Sequence, residues 1–234
     1  MKKTLVVCSG GLDSVTLAHH IAHEQSLLAL LTFDYGQRHR KEIGYAAACA
    51  KRLSVPHHVV DIAPIGQALT SSLTGDSDVP EGHYTAENMA STVVPNRNVI
   101  MLSIAFGLAS SMGAEAVAIA VHGGDHFIYP DCRPDFIEAF ARMQQLALAG
   151  VSDIALMAPF LHQSKADIAR LGVTLQVPFE ETWSCYQGDA VHCGRCGTCV
   201  ERLEALHLAE ARDTTPYADT QFWRQTVAEH AACI

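Results

Sequence analysis

The chain of 234 residues is long enough for one domain, or one domain with a small appendage, and its 49% apolar and 18% charged residues are typical of a globular protein. A net charge of −9 argues against a broad nucleic-acid-binding surface, because phosphate backbones are bound mainly by Lys and Arg. The continuous apolar runs are shorter than the ~20 residues of a membrane span, and the run before Gly10 is too short for a signal peptide, so we expect a cytoplasmic protein without a membrane partner.

The predicted elements alternate between strand and helix along most of the chain. Continuous apolar strands separated by helices imply a parallel sheet that is covered on both faces. In chain order, the pattern predicts a strand at residues 4–8, a helix at 15–24, a strand at 27–33, a helix at 41–53, a strand at 57–62, a helix at 99–112, a strand at 116–121, a helix at 134–149, a strand at 154–157 and a helix at 164–171 that Ser164 caps.

Two segments interrupt this alternation. Residues 71–98 are rich in Gly, Ser, Asp, Pro and Asn, and a loop of this length in a compact domain is usually functional or mobile. After Pro178 the alternation stops and a cysteine-rich segment begins. We therefore predict a main domain at residues 1–180, followed by a metal-binding segment and a helical tail at residues 181–234.

The first predicted strand leads into the sequence Ser-Gly-Gly-Leu-Asp-Ser at residues 9–14. Adjacent glycines let the backbone approach a ligand closely, and the start of the following helix offers unpaired N–H groups to phosphate. The pattern lacks the lysine of a Walker A loop, and its Asp13 suits either a Mg²⁺ ligand or a group that shapes the turn. The alternative is an ordinary tight turn in which Ser14 caps a helix, but the complete pattern between strand and helix favours phosphate binding.

This stretch resembles the PP-loop of the N-type ATP pyrophosphatases, which cleave ATP between the α and β phosphates and activate substrates as adenylates. The resemblance implies a Rossmann-like five-stranded parallel sheet with helices on both faces, of the adenine nucleotide alpha hydrolase-like type. It also implies that ATP is bound by residues of this loop, namely Ser9, Gly10, Gly11, Leu12, Asp13 and Ser14. We assign Asp34 and Arg38 to the same site, because the basic run after the second strand lies at the edge where ligands of open α/β sheets bind, although it also suits a solvated helix start.

Four of the eight cysteines predict a metal site. They are separated by seven, two and two residues, and two-residue gaps direct successive sulfur atoms towards one point. A structural zinc ion, one per chain, is the favoured occupant; an iron–sulfur cluster is the main alternative, because similar spacings serve clusters, and disulfides are disfavoured in a reducing compartment. The predicted ligands are Cys185, Cys193, Cys196 and Cys199.

Further segments narrow the resemblance to one family. The sequences FDYGQRH, VPNRN, YPDCRPDF and TWSCY look like those of the 7-cyano-7-deazaguanine synthase family of queuosine biosynthesis (the QueC family), in order from Leu5 to about Leu206. Ile128 departs from the pattern, since a glycine is expected before the third segment, and the tail after Leu206 matches nothing in it.

The resemblance implies a reaction that converts 7-carboxy-7-deazaguanine and ammonia into the 7-cyano base. One ATP activates the carboxylate and a second activates the resulting amide, and each releases AMP and pyrophosphate. Mg²⁺ is expected to offset the phosphate charge. The implied partners are these small molecules and a second copy of the chain in a homodimer, with no direct nucleic-acid contact.

We assign catalytic roles to Asp13, Arg97 and Lys165. Arg97 lies in the long polar loop, where it suits a phosphate or a carboxylate, or else is a surface arginine. Lys165 is expected in the first turn of a helix, where the helix dipole disfavours a cation, so it either binds an anion or faces solvent. The loop after the fourth strand is assigned to the deazaguanine, or is merely braced by prolines; its residues are Asp125, Tyr129, Asp131 and Arg133.

Three other interpretations remain open from the sequence. His122 and His126 are either proton relays or ordinary loop residues, and we favour the second. A different PP-loop enzyme, such as a tRNA thiolase or an ammonia-dependent synthetase of another metabolite, is the nearest rival. The third interpretation is a non-catalytic zinc module that binds nucleic acid, but it does not explain the glycine-rich loop.

Overall fold

The computed structural model describes residues 2–69, 71–75 and 78–232, without the side chains of residues 86 and 88. Five strands form one sheet in the order β3-β2-β1-β4-β5, and each neighbouring pair is parallel. The strands are β1 (Thr4–Val7), β2 (Leu27–Asp34), β3 (His57–Asp61), β4 (Ala116–Ala118) and β5 (Ala155–Met157). This confirms the predicted Rossmann-like fold.

Nine α-helices are present in the part of the chain that the structure describes. Short 3₁₀ turns at Ala90–Thr92, Gly123–Asp125, Pro130–Cys132 and Phe179–Glu181 lie between some of them. The helices are α1 (Leu12–His23), α2 (Glu42–Leu53), α3 (Ala63–Ala68), α4 (Ala86–Met89), α5 (Arg97–Met112), α6 (Pro134–Ala147), α7 (Lys165–Thr174), α8 (Gly197–Leu208) and α9 (Phe222–Ala232).

The sheet separates two apolar cores. Successive residues of β1 point to opposite faces, so Leu5 belongs to one core and Val6 to the other. The first core includes Phe106 of α5 and Phe140 of α6, whereas the second is filled from α1, α2, α7 and α8. Because both faces of the central strands are covered, the sequences of these strands are continuous runs of apolar residues.

The apolar character of α5 is explained by the first core. Residues Ala90–Met112 are long and apolar enough to cross a membrane by length and composition, with a mean hydropathy of 1.2. However, α5 packs against β1 and β4 with one face buried, including Leu102 and Phe106 at 0% and 1% exposure. That face is already occupied by protein, as expected for a core helix.

Several boundaries differ from the sequence prediction. The fourth strand ends at Ala118, and the following residues turn towards the ligand-binding edge of the sheet. The long polar loop contains α4 and a 3₁₀ turn, and α5 begins at Arg97. The division into residues 1–180 and 181–234 stays a prediction, and residues 233 and 234 lie outside the described part of the chain.

Candidate active site

The loop between β1 and α1 packs directly against the start of α2. Gly10 has a φ of +92°, and a Cβ atom at this position would clash with the carbonyl oxygen of Glu42 and lie 2.9 Å from the Ala46 nitrogen. Both the left-handed backbone and the close approach of α2 therefore require glycine. The loop is thus a tight turn whose outer side faces the crevice above the sheet.

The hydroxyl groups of Ser9 and Ser14 hold this loop in shape. Ser14 Oγ accepts a hydrogen bond from the Ser9 amide at 3.2 Å and donates one to the Gly11 carbonyl oxygen at 3.2 Å. Gly11 occupies the N-cap position of α1, so within the described residues no side chain caps this helix. The first-turn amides remain available to an anion, which the positive end of the helix dipole also favours.

The loop lies at the point where the sheet reverses its strand order. From β1 the chain proceeds outwards to β2 and β3, and then returns to place β4 on the other side of β1. Ligands of open parallel sheets bind above the carboxyl ends of the strands at such a point. A cavity occupies this position, and the predicted site residues that line it are Ser9, Gly11, Leu12, Asp13, Ser14, Arg97, Asp125, Tyr129 and Lys165.

A cluster of charged side chains lies beside the loop. Lys165, at the start of α7, places its Nζ 3.1 Å from Asp13 Oδ2 and 2.7 Å from Glu201 Oε2. Two carboxylates thus offset the unfavourable position of a lysine in the first turn of a helix. On the other side, His122 Nε2 lies 3.9 Å from Asp13 Oδ2 and 3.6 Å from Asp125 Oδ2. The cluster joins α1, the loop after β4, α7 and α8 at one edge of the cavity.

Mutual attraction shifts the pKa values within this cluster. Burial acts to raise the pKa of Asp13, but the charges of Lys165 and His122 outweigh it and lower that pKa below its ordinary value. Burial acts to lower the pKa of Lys165, but the carboxylates of Asp13 and Glu201 raise it well above its ordinary value. Burial raises the pKa of Glu201, and Lys165 opposes that effect. Lys165 is therefore a permanent cation beside the glycine-rich loop.

The opposite end of the cavity is aromatic. Arg97 projects from the start of α5, and its Cζ lies 5.9 Å from the centre of the Tyr129 ring. Burial acts to lower the pKa of Arg97, but the neighbouring hydroxyl groups of Tyr35, Tyr186 and Tyr129 raise it well above its ordinary value. The partners of this guanidinium are thus mainly phenols, which leaves its charge available for an acidic ligand.

Hydrogen bonds fix the aromatic side chains around Arg97. The Tyr129 hydroxyl lies 2.8 Å from Thr92 Oγ1, and the Tyr84 hydroxyl donates to Asp125 Oδ1 at 3.1 Å. Asp125 is thereby held between Tyr84 and the charged cluster. Flat side chains around a cation and a carboxylate suit a planar heterocycle with N–H groups and an acidic substituent.

The cysteine-rich segment forms one wall of the same cavity. The Trp183 amide donates a hydrogen bond to the Gly10 carbonyl oxygen at 2.8 Å, which ties the segment to the glycine-rich loop. Ser184, Tyr186 and Thr198 line the cavity with Trp183. Thr198 Oγ1 also donates to the Ser184 carbonyl oxygen at 2.9 Å. The metal-binding segment therefore shapes the ligand site as well as the outer surface.

The four predicted ligand cysteines converge as required for a metal ion. Their sulfur atoms all lie within 4.8 Å of one another, and the Sγ atoms of Cys193 and Cys199 are 3.9 Å apart. Tetrahedral zinc with bonds of about 2.3 Å requires sulfur atoms about 3.8 Å apart, so the cluster fits. The amides of Arg195 and Cys196 donate to Cys193 Sγ at 3.4 and 3.2 Å, which suits a thiolate.

The cavity lining does not include five of the predicted site residues. Asp34 accepts a hydrogen bond from Arg40 Nε at 2.6 Å, and Arg38 is exposed. Asp131 Oδ2 accepts from the Asn98 amide at 2.9 Å in the first turn of α5. Arg133 donates from Nε to the His126 carbonyl oxygen at 2.8 Å. Gly10 shapes the loop through its backbone conformation but does not itself line the cavity. The roles assigned to the other four residues remain predictions.

Sequence reasoning missed several residues that line the cavity or its charged cluster. Glu201 follows the last cysteine by two positions and looks like an exposed helix residue in the sequence. Glu42 directly follows a basic run, and a carboxylate there reads as a helix-start residue. The missed lining residues also include several aromatic or imidazole side chains, namely Tyr35, His39, Tyr84, Trp183 and Tyr186, and the hydroxyl side chains of Ser184 and Thr198.

Comparisons with known proteins agree with this geometry. The family model described as queuosine biosynthesis protein QueC matches residues 3–210. A 7-cyano-7-deazaguanine synthase from Brucella ovis is 63% identical over 231 residues, covering 98% of this chain and 100% of the relative. The corresponding protein from Rhizobium rhizogenes is 65% identical over 222 residues, covering 94% of each chain.

A solved structure with a similar fold is that of NMN synthetase from Francisella tularensis. It superposes with a TM-score of 0.50 and 16% sequence identity, covering 98% of this chain and 86% of the other. At this identity, the likeness supports the fold. The family match over residues 3–210 and the two close relatives show that this chain belongs to the QueC family of queuosine biosynthesis proteins.

Proposed function

We propose that the protein is a 7-cyano-7-deazaguanine synthase, an ATP-dependent carbon–nitrogen ligase. It would convert 7-carboxy-7-deazaguanine and ammonia to the nitrile at the expense of two ATP, each cleaved to AMP and pyrophosphate. The observation that carries the proposal is a single cavity that joins a phosphate-type loop to an aromatic end containing Arg97. The names of the relatives that match this chain over its whole length agree with it.

The chemistry requires activation of a carboxylate, because a carboxylate repels nucleophiles and has no acceptable leaving group. Adenylation supplies the leaving group, and ammonia then displaces AMP to give the amide. A second adenylation, at the amide oxygen, lets AMP leave as the nitrile forms. The protein's contribution is mainly to position the two substrates and to stabilise charge.

The glycine-rich loop is the proposed pyrophosphate site. The amides at the start of α1 and the hydroxyl groups of Ser9 and Ser14 would bind the β and γ phosphates. Lys165 would bind the same phosphates and stabilise the charge that develops when the bond to the α phosphorus breaks. Asp13 Oδ1 is buried without a hydrogen-bond partner among the described residues, which suits a Mg²⁺ ligand. Mg²⁺ would offset phosphate charge at this position.

The aromatic end is the proposed base site. Arg97 would bind the acidic substituent of the deazaguanine, and Tyr129 would stack on its ring. Asp125 would accept hydrogen bonds from the guanine-like N–H and amino groups. The predicted contributions of Asp34, Arg38, Asp131 and Arg133 are part of this proposal.

The four-cysteine cluster would hold one structural zinc ion per chain, because all four positions of the tetrahedron are taken by protein. We further propose a homodimer that acts in the cytoplasm and binds small molecules rather than nucleic acid or membrane.

Product analysis tests the proposed function. The protein is incubated with ATP, Mg²⁺, ammonium and 7-carboxy-7-deazaguanine, and the base and nucleotides are measured by mass spectrometry. We expect the nitrile together with two AMP per nitrile. Formation of the amide alone, or turnover with a different carboxylate, would instead support another PP-loop ligase. A requirement for tRNA and a sulfur donor would support a thiolase.

A further inference from the structure

Glu42 is a buried carboxyl group in the cavity wall that the adenylation chemistry does not use. It is 7% exposed and lies at the start of α2. Gln37 donates a hydrogen bond from Nε2 to Glu42 Oε1 at 3.0 Å, which fixes one oxygen. The other oxygen, Oε2, lies 3.6 Å from His39 Nε2, beyond the usual hydrogen-bond distance. One oxygen is thus held by a hydrogen bond, whereas the nearest polar contact of the other among the described residues is His39 Nε2 at 3.6 Å.

His39 does not neutralise this carboxyl group. It is 3% exposed and also lines the cavity. Burial and then the charge of Arg97 lower the pKa of His39 to about 3, so the imidazole is neutral at working pH. Its Nδ1 is buried and, among the described residues, has no hydrogen-bond partner. When Nδ1 carries the proton, the neutral ring accepts at Nε2, so Nε2 and Glu42 Oε2, 3.6 Å apart, are two acceptors for one ligand that carries N–H donors.

Glu42 lies between the two ends of the cavity. Its backbone is in contact with Gly10 of the glycine-rich loop, as the blocked Cβ position of that glycine shows. On the other side, the charge of Arg97 acts on the Glu42 carboxyl group. The acyl carbon of an adenylate must connect a phosphate at the loop to a base at Arg97. A nucleophile bound at Glu42 would therefore lie beside that carbon.

We propose that Glu42, assisted by the neutral imidazole of His39, binds ammonium and serves as the base for the nitrogen atom in both halves of the reaction. This inference rests on the proposed function. Ammonium is a small cation with N–H donors in all directions, and it matches a pair of acceptors that includes a carboxylate.

Ammonium transfers one proton to the Glu42 carboxylate, and the lone pair of ammonia forms the C–N bond with the acyl carbon. The C–O bond to AMP breaks, AMP leaves with the electron pair, and a second proton from nitrogen goes to its phosphate. In the second half, the O-adenylated amide loses two protons from nitrogen as the C–O bond breaks. Glu42 releases its first proton to solvent between the two halves, so one of these protons goes to the Glu42 carboxylate and the other to AMP.

The surroundings of Glu42 suit this role. Burial raises the pKa of Glu42 to about 8, the hydrogen bond from Gln37 and the charge of Arg97 oppose that rise, and Cys8 adds to it. A base whose pKa lies near the working pH is the most effective at transferring protons. The groups that face Glu42 from the packed elements are Cys8 directly after β1, Tyr35, Gln37 and His39 after β2, and Arg97 of α5.

The test separates adenylation from nitrogen transfer. Glu42→Gln keeps the shape and the acceptor for Gln37 but cannot take a proton. In this variant, carboxylate-dependent exchange of pyrophosphate into ATP, measured without ammonium, should stay within a few-fold of wild type. Formation of the amide from ammonium should fall by about 10²-fold or more. Glu138→Gln, an exposed position on α6, is the charge-matched control and should behave as wild type.

Hydroxylamine distinguishes a lost base from a damaged site, because it is unprotonated at neutral pH. Hydroxamate formation by Glu42→Gln should therefore stay near the wild-type rate. Hydroxamate lost in parallel with amide, lost pyrophosphate exchange, or wild-type use of ammonium would each overturn the proposal. If Glu42→Gln does not fold, Glu42→Asp must show slowed amide formation with intact exchange; unchanged amide formation would overturn it.

The wild-type protein provides a check that separates this inference from the proposed function. Amide formation from ammonium should rise with pH through about 8, whereas pyrophosphate exchange should not follow that rise. If wild type forms no nitrile, the proposed function fails. If wild type and Glu42→Gln form it equally well, the proposed function stands and the role of Glu42 fails.

Discussion

The cationic side chains at the two ends of the cavity have different surroundings. At the loop end, Lys165 lies within 3.1 Å of Asp13 and 2.7 Å of Glu201, so two carboxylates offset its charge before a ligand binds. At the aromatic end, Arg97 is surrounded mainly by tyrosine hydroxyl groups. The first arrangement suits a polyanion that arrives with its own metal ion. The second favours one acidic group, because a partly buried guanidinium gains most from a bidentate partner.

Removal of Lys165 should have the largest effect. In Lys165→Ala, Asp13 and Glu201 face each other and the phosphates without a cation, so we expect kcat to fall by about 10²–10³-fold. Pyrophosphate exchange measures the effect on adenylation directly. Arg170→Ala, on the exposed side of the same helix, is the control and should retain activity. Equal exchange rates in both variants would remove Lys165 from the phosphate end.

Loss of the metal ion should weaken substrate binding at both ends of the cavity. Cys196→Ser should release the zinc ion and lower the thermal midpoint by about 10 °C, because structural zinc contributes directly to folding. The KM values for ATP and for the base should both rise, since Trp183 and Tyr186 belong to the same segment. Cys49→Ala, a buried cysteine outside the cluster, should keep the metal. Metal analysis that finds iron and sulfide would contradict zinc.

Replacement of Arg97 should be selective for the aromatic end. In Arg97→Met, we expect the KM for the carboxylate substrate to rise by about 10- to 10²-fold, the value of a charge-assisted hydrogen bond pair. The KM for ATP should change little. Arg142→Met, at an exposed position on α6, is the charge-matched control and should leave both KM values near those of wild type. A larger effect on ATP than on the base would place Arg97 with the phosphates.

The smallest effect concerns the pH dependence of stability. Burial lowers the pKa of His39 to about 3, below its unfolded value, so the unfolded state binds the extra proton first. Because of His39, the free energy of unfolding therefore decreases as pH falls below about 6.5, with a slope of at most about 1.4 kcal/mol per pH unit. Chemical unfolding of wild type and His39→Gln should give curves that separate between pH 6.5 and 4. Parallel curves would show that His39 takes up its proton in the folded protein.

The fold was largely predictable because its pattern is local. In β1, the successive residues Leu5 and Val6 belong to opposite cores, so a strand of this kind must be apolar throughout. Its continuous apolar sequence distinguishes it from a half-exposed strand. Helix α8 was harder to predict, since Gly197 and Cys199 read as turn and ligand residues although both lie inside it. The residues after Ala118 read as strand because they are apolar, but they line the cavity.

The sequence by itself determined the glycine-rich loop and the four-cysteine cluster, because in both cases the interacting residues are close neighbours in the chain. Tertiary structure alone decided which distant side chains share the cavity. It brought Glu201 to Lys165 and placed Glu42 beside the loop, while Asp34 paired with Arg40. The physical reason is that these contacts depend on the strand order and on how the helices cross the sheet, and neither is encoded in the spacing of any single segment.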